Sequence, residues 1–200
     1  MEIYLKKTFS QLTLALLATL SSAGIALAAD AVRVVGTAGA TYGGDDWHVA
    51  KSSSGTPLAV HGGGGFTVGA GVSWQSAAYP VTATLVANYH VDPSAGRNTS
   101  AKFTRAPIDA MVYYTGLEKL RFGVGLSYIV APTIKATVDG QSETIKFKNA
   151  LGKSFEIGYE LTPDLWTNLR LSSEKFKPKT GGSATQSKVS QLSINLSYLF

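Results

Sequence analysis

The chain has no cysteine, and only 16% of its 200 residues are Asp, Glu, Lys or Arg. The first absence excludes disulfides, so stability must come from packing, strand pairing or a surrounding medium of lipid. The formal net charge of +5 is spread thinly. It lacks the concentrated basic stripe of a nucleic-acid binder, which excludes that class of partner. Long apolar runs are missing too: the most apolar stretch, about Leu12 to Leu20, is shorter than the roughly 20 residues that a spanning helix needs.

That stretch has another reading. Lys6 and Lys7 precede it, and Ala26-Leu27-Ala28 places small residues where a signal peptidase reads them. The pattern is that of a secretory signal peptide over residues 1–28, with the mature chain starting at Ala29. A membrane helix is the competing reading, but Thr, Ser and Gly dilute the residues after the apolar stretch. Residues 29–200 are long enough for one domain with a full core, and no second domain is expected.

What the chain does contain suits strands and turns: Gly 21, Tyr 9, Phe 8 and Trp 3. The last ten residues, QLSINLSYLF, put Leu192, Ile194, Leu196 and Tyr198 on one face of a strand and end on Phe200. An alternation of period two is a strand with one apolar face. It recurs through Val32, Val34, Ala38, Ala40 and Tyr42, through Phe66 to Trp74, and through Val81 to Tyr89. Ile108 to Tyr114, Leu120 to Tyr128, Phe155 to Leu161 and Leu165 to Leu171 complete a set of eight strands of about ten residues. Three connections are tight, at Ser76–Tyr79, Gly116–Lys119 and Thr162–Asp164. The other four, about Asp45–Gly63, Pro93–Phe103, Pro132–Ala150 and Phe176–Ser187, read as long loops.

Short turns at one end and long loops at the other are the asymmetry of outer-membrane barrels. A soluble eight-stranded barrel would turn its apolar face inward around a ligand. Here the apolar faces are nearly free of charge, as lipid requires. The opposite faces carry Arg33, Asp109, Arg121, Glu156, Glu160, Arg170 and Glu174, which suits a polar lumen. Aromatic residues gather at strand ends. Trp74, Tyr79, Tyr114, Phe122, Tyr159, Trp166, Tyr198 and Phe200 are expected in the girdle at the tight turns, and Tyr42, Phe66, Tyr89, Tyr128, Phe155 and Phe176 in the other. The fold expected is all-β: an eight-stranded, antiparallel, up-and-down transmembrane barrel in the outer membrane of a Gram-negative bacterium.

With its leader, eight amphipathic strands, GTAGATYGGDD opening and alternating terminus, the chain resembles the small barrels of the OmpA/OmpX-like superfamily over essentially its whole mature length. The resemblance implies that Ile194, Leu196, Tyr198 and Phe200 form the signal read by the barrel-assembly machinery. It rests on architecture more than on a specific motif. A cell-wall-binding domain is not expected.

Eight strands leave a bore only wide enough for side chains. Pairing across the turn at Thr162–Asp164 sets Glu156 opposite Arg170, the centre of a charge network expected to plug the lumen; a gate is the alternative. The rim at the long loops is basic, with Lys146, Lys148, Lys153, Lys175, Lys177 and Lys179, and offers contacts to the phosphates of lipopolysaccharide. Solvated loop lysines are the plainer reading. Asp45, Asp46 and His48 invite a metal, but their spacing matches no defined site, and no metal or cofactor is expected. A lipid-modifying hydrolase would need a histidine beside an outward nucleophile. Ser173 faces lipid, His90 faces the lumen, and no G-x-S-x-G is present. Gly62–Gly65 is read as a bulge or sharp twist at the entry to the second strand rather than a phosphate loop. The function expected is that of a monomeric, non-enzymatic membrane barrel acting through its loops on lipid, a surface or another envelope protein. A narrow solute channel is the alternative.

Overall fold

The computed structural model describes residues 31–44, 46–51, 57–61, 63–96, 99–138, 140–179 and 187–200. The expected signal peptide lies outside these, as do Asp45 and the side chains of Asp46, His48 and His61. The strands are β1 (Ala31–Gly43), β2 (Asp46–Lys51), β3 (Pro57–His61), β4 (Gly65–Gln75), β5 (Val81–Gly96), β6 (Thr99–Leu117), β7 (Leu120–Val138), β8 (Gln141–Lys146), β9 (Ala150–Thr162), β10 (Leu165–Phe176) and β11 (Ser187–Leu199). Eight of them, all but β2, β3 and β8, pair antiparallel with their neighbours around a closed ring. The β1–β11 ladder, with Ala40 opposite Ile194, closes the ring. Closure leaves no row of backbone donors and acceptors facing hydrocarbon.

The alternation does what lipid requires. Val124, Leu126, Leu169, Ile194 and Leu196 are exposed on the outside at mid-height, while Asp109, Glu156 and Asn168 are buried inside. Tyr42, Phe66, Tyr89, Tyr128 and Phe155 form the upper girdle, and Trp74, Tyr79, Tyr114, Phe122, Tyr159, Tyr198 and Phe200 the lower one. Two of the expected girdle residues are elsewhere. Trp166 lies on the inward face of β10, 4.5 Å from the Arg121 guanidinium carbon, and Phe176 is completely buried. A count of two along β10 from outward Leu169 turns both inward.

The strands also outrun the expected ten residues. β6 and β7 have 19 residues each, about twice what crosses a bilayer. Much of what the sequence suggests as loop at 93–103 and 132–150 is therefore sheet, continued by β8 against the end of β7. Along this extension the chemistry of the two faces inverts. Lys102, Lys135, Lys175 and Lys188 point outward, and Phe103, Ile129, Ile134, Phe147, Phe176 and Val189 form an enclosed apolar core. The rings of Phe103, Phe147 and Phe176 meet edge to face at 5.8–6.3 Å. A barrel in water needs its oily face inside, and one in lipid needs it outside.

Depth along one face offers a test. Leu169→Arg is expected to destabilise the assembled barrel by about 2–4 kcal/mol, whereas Ser173→Arg, one outward row beyond girdle residue Phe155, should cost about 0–1 kcal/mol. The heat-modifiable gel mobility of membrane-extracted protein, followed through a urea titration, reads both. Equal losses would place the lipid band elsewhere.

Candidate functional site in the barrel lumen

Inward positions on six strands bring a continuous polar chain across the bore. Thr37 on β1 donates to Asn88 Oδ1 on β5 (3.0 Å), and Asn88 Nδ2 donates to Asp109 Oδ2 on β6 (3.1 Å). Asp109 accepts from Arg170 Nη1 on β10 at 2.6 Å, and Arg170 Nε donates to Glu156 Oε2 on β9 at 2.6 Å. The other Glu156 oxygen accepts from the Tyr113 hydroxyl at 2.9 Å and lies 3.9 Å from Arg121 Nη2 on β7. Arg121 in turn donates to Asn168 Oδ1 at 2.7 Å and stacks on the Tyr113 ring at 4.3 Å. Arg170 stands opposite Glu156 in the β9–β10 register, as the turn at Thr162–Asp164 predicts; a bulge between Leu165 and Trp166 absorbs the turn itself.

Room for these side chains comes from β7. A Cβ on Gly123 would lie 2.5 Å from the Tyr113 ring, and one on Gly125 would collide with Met111 Sδ. Both inward glycines therefore make space for bulkier neighbours, as their parity suggests. At Gly65 the backbone takes φ +103° where β4 enters the barrel, the twist expected of that glycine run.

A second cluster sits above the first. Arg105 and Glu174, 2% and 3% exposed, form an ion pair, and Arg105 Nη2 donates to Gln191 Oε1 at 2.5 Å. His90 Nε2 and Thr41 Oγ1 are 2.9 Å apart beside them. Arg105 is absent from the expected network because residues up to Phe103 read as loop and the strand as starting at Ile108. A count of two backward from Asp109 passes through Arg105 and would have found it. Along the lumen, from Val35 and Leu199 up to Arg105 and Gln191, the void left between these side chains measures about 50 Å³, enough for a few waters.

Two expected members stand apart. Arg33 is at the tight-turn end, 2.5 Å from Asp164 and 2.6 Å from the Leu199 carbonyl, where it clamps the last strand. Glu160 is inward-facing and half-buried at the same end, and it makes no ion pair among the described residues. All six of the predicted rim lysines are exposed. An isolated bridge between Phe147 and Pro178, with backbone N–H groups of Lys148 and Lys179 donating to the carbonyls of Lys177 and Lys146, groups four of them at the edge of the phenyl core. Lys153 and Lys175 lie lower, on the outer sheet face.

Among solved structures, the chain is similar to Neisserial surface protein A, with 13% identity, 86% of this chain and 99% of that one covered, and a TM-score of 0.56. It is also similar to a major outer membrane protein from Thermus thermophilus, at 14% identity, 85% and 100% coverage and a TM-score of 0.52. These likenesses concern the fold. No curated protein matches the chain. The model of the outer membrane protein beta-barrel domain matches residues 12–200. With a closed, lipid-facing ring of strands and that match over nearly its full length, the chain belongs to the outer membrane β-barrel domain family.

Proposed function

We propose that this outer-membrane protein works through its extracellular end and keeps its bore shut. The observation that carries this reading is the lumen filling: Arg170 bridges Asp109 and Glu156 across the bore, and about 50 Å³ is left. The apolar core of Phe103, Phe147 and Phe176 forms a second closure above it. A solute pathway would have to break both. The reading assigns no catalytic step: His90 is buried against Thr41, and the cross-strand neighbours of outward Ser173 are Lys153 and Ser190. The working parts are then the long extensions of β6 and β7, the lysine-rich rim and the β2–β3 hairpin, whose backbone approaches β5, β6 and β7. Their partners are the anionic lipid of the outer leaflet and surfaces beyond it. The protein acts as a monomer, inserted by the barrel-assembly machinery through Ile194, Leu196, Tyr198 and Phe200.

Single-molecule conductance of the refolded barrel in a planar bilayer tests the reading. A silent bilayer, with folding shown by gel mobility, is expected. Discrete openings that change amplitude or frequency in Arg170→Ala would overturn it and make the lumen a gated channel.

A further inference from the structure

Starting at the upper girdle, the outward positions of β9, β10 and β11, with Tyr42 of β1, fall into three rows. Tyr42, Leu192, Leu171 and Phe155 are cross-strand neighbours in the lowest. One step up, Ser190, Ser173 and Lys153 stand side by side, and one step further Lys175 is paired with Lys188. The two lower rows line an open groove of about 560 Å³ on the outer wall. Neighbouring strands are about 4.8 Å apart and successive outward residues about 6.6 Å, so the three ammonium groups can reach one headgroup-sized anion. Lys153, Lys175 and Lys188 have no acidic partner among the described residues.

The lysines of β9–β11 differ from the other outward lysines in what lies beneath them. Above the girdle on β6 and β7, a second outward pair, Lys102 opposite Lys135, stands over Thr104 opposite Thr133 rather than over apolar side chains. Lys153 lies a single outward step beyond Phe155, where acyl chains give way to headgroups. The groove therefore has an apolar floor in the hydrocarbon and, at headgroup level, two hydroxyls and Lys153, with the Lys175–Lys188 pair one row above it.

We propose that this face of β9–β11 is a discrete binding site for one lipid carrying a phosphomonoester headgroup, with the phosphate held by Lys153, Lys175 and Lys188 beside Ser173 and Ser190, and an acyl chain along Leu171 and Leu192. The proposal specifies the lipid contact of the function given above and places it below Lys146, Lys148, Lys177 and Lys179, which the Phe147–Pro178 bridge holds. It does not depend on whether the bore conducts, so openings in the bilayer experiment would leave it intact.

Native mass spectrometry of the full barrel in mild detergent tests it, with bisphosphorylated lipid A, its dephosphorylated form and phosphatidylglycerol as probes. One lipid A per barrel is expected, at least tenfold tighter than either of the other two. The triple variant Lys153→Gln, Lys175→Gln, Lys188→Gln should lose at least tenfold in affinity. The control variant Lys102→Gln, Lys135→Gln, which removes the outward pair on β6 and β7, should lose less than twofold. Equal losses in the two variants would mean a diffuse electrostatic field and overturn the site, as would indifference to the phosphates. Comparing the three lipids on the unmodified barrel decides the matter even where the triple variant does not fold.

Discussion

Arg170→Ala is expected to lower the stability of the folded barrel by about 3–5 kcal/mol, because it leaves two buried carboxylates facing each other without their shared cation. Arg170 lies 2.6 Å from both Asp109 and Glu156, and Glu156 is only 1% exposed. Arg121 Nη2, at 3.9 Å from Glu156, is too distant to replace a directly hydrogen-bonded cation. Denaturant unfolding of the refolded barrel in detergent micelles, read by Trp fluorescence, measures the loss. The triple variant Arg170→Met, Glu156→Gln, Asp109→Asn should recover part of it: neither carboxylate is then stranded, but buried Arg121 loses the Glu156 charge 3.9 Å away. A simple exchange of Glu156 and Arg170 should recover much less: the carboxylate placed at position 170 would meet Asp109. A single variant within about 1 kcal/mol of the unmodified protein would mean that water screens the lumen as it screens a surface pair.

Phe176→Ala should cost about 3–5 kcal/mol, the range for removing a fully buried ring from a packed core. Phe176 has no exposed area, touches the rings of Phe103 and Phe147, and lies 5.9 Å from the Arg105 guanidinium carbon. The damage should be confined to the extracellular end, where the Phe147–Pro178 bridge holds Lys146, Lys148, Lys177 and Lys179. Limited trypsin digestion reads it directly: cleavage after Lys146, Lys148 and Lys179 should accelerate while the membrane-spanning strands stay protected, Lys177 being resistant because Pro178 follows it. Phe155→Ala, on the lipid-facing wall, serves as the control and should leave the cleavage rate unchanged. Equal acceleration in both variants would show that the phenyl cluster does not hold this end together.

These two sites differ in how far the sequence discloses them. The Glu156–Arg170 pair follows from parity and one tight turn, since strands joined by a short turn have their register set for them. The contacts of Asp109 with Arg170, Tyr113 with Glu156 and Arg105 with Glu174 join strands that are not adjacent. No local pattern announces them; they exist because the sheet curls into a tube and sets opposite walls face to face. The phenyl core was hidden for another reason. An aromatic residue near a strand end looks like an interface anchor when the strand is taken to stop at the membrane, and Phe176 looks so until the strand is seen to continue.

The sequence by itself determined the class of the molecule and its inside and outside. Period-two alternation dictates which side chains share a face, and the near absence of charge on one face admits only lipid as its surroundings. Only the tertiary structure decided how the bore is closed, which carboxylate each arginine meets, and where the lysines gather. Those depend on distances across a closed ring and on how far each strand runs beyond the bilayer, and neither is a property of neighbouring residues.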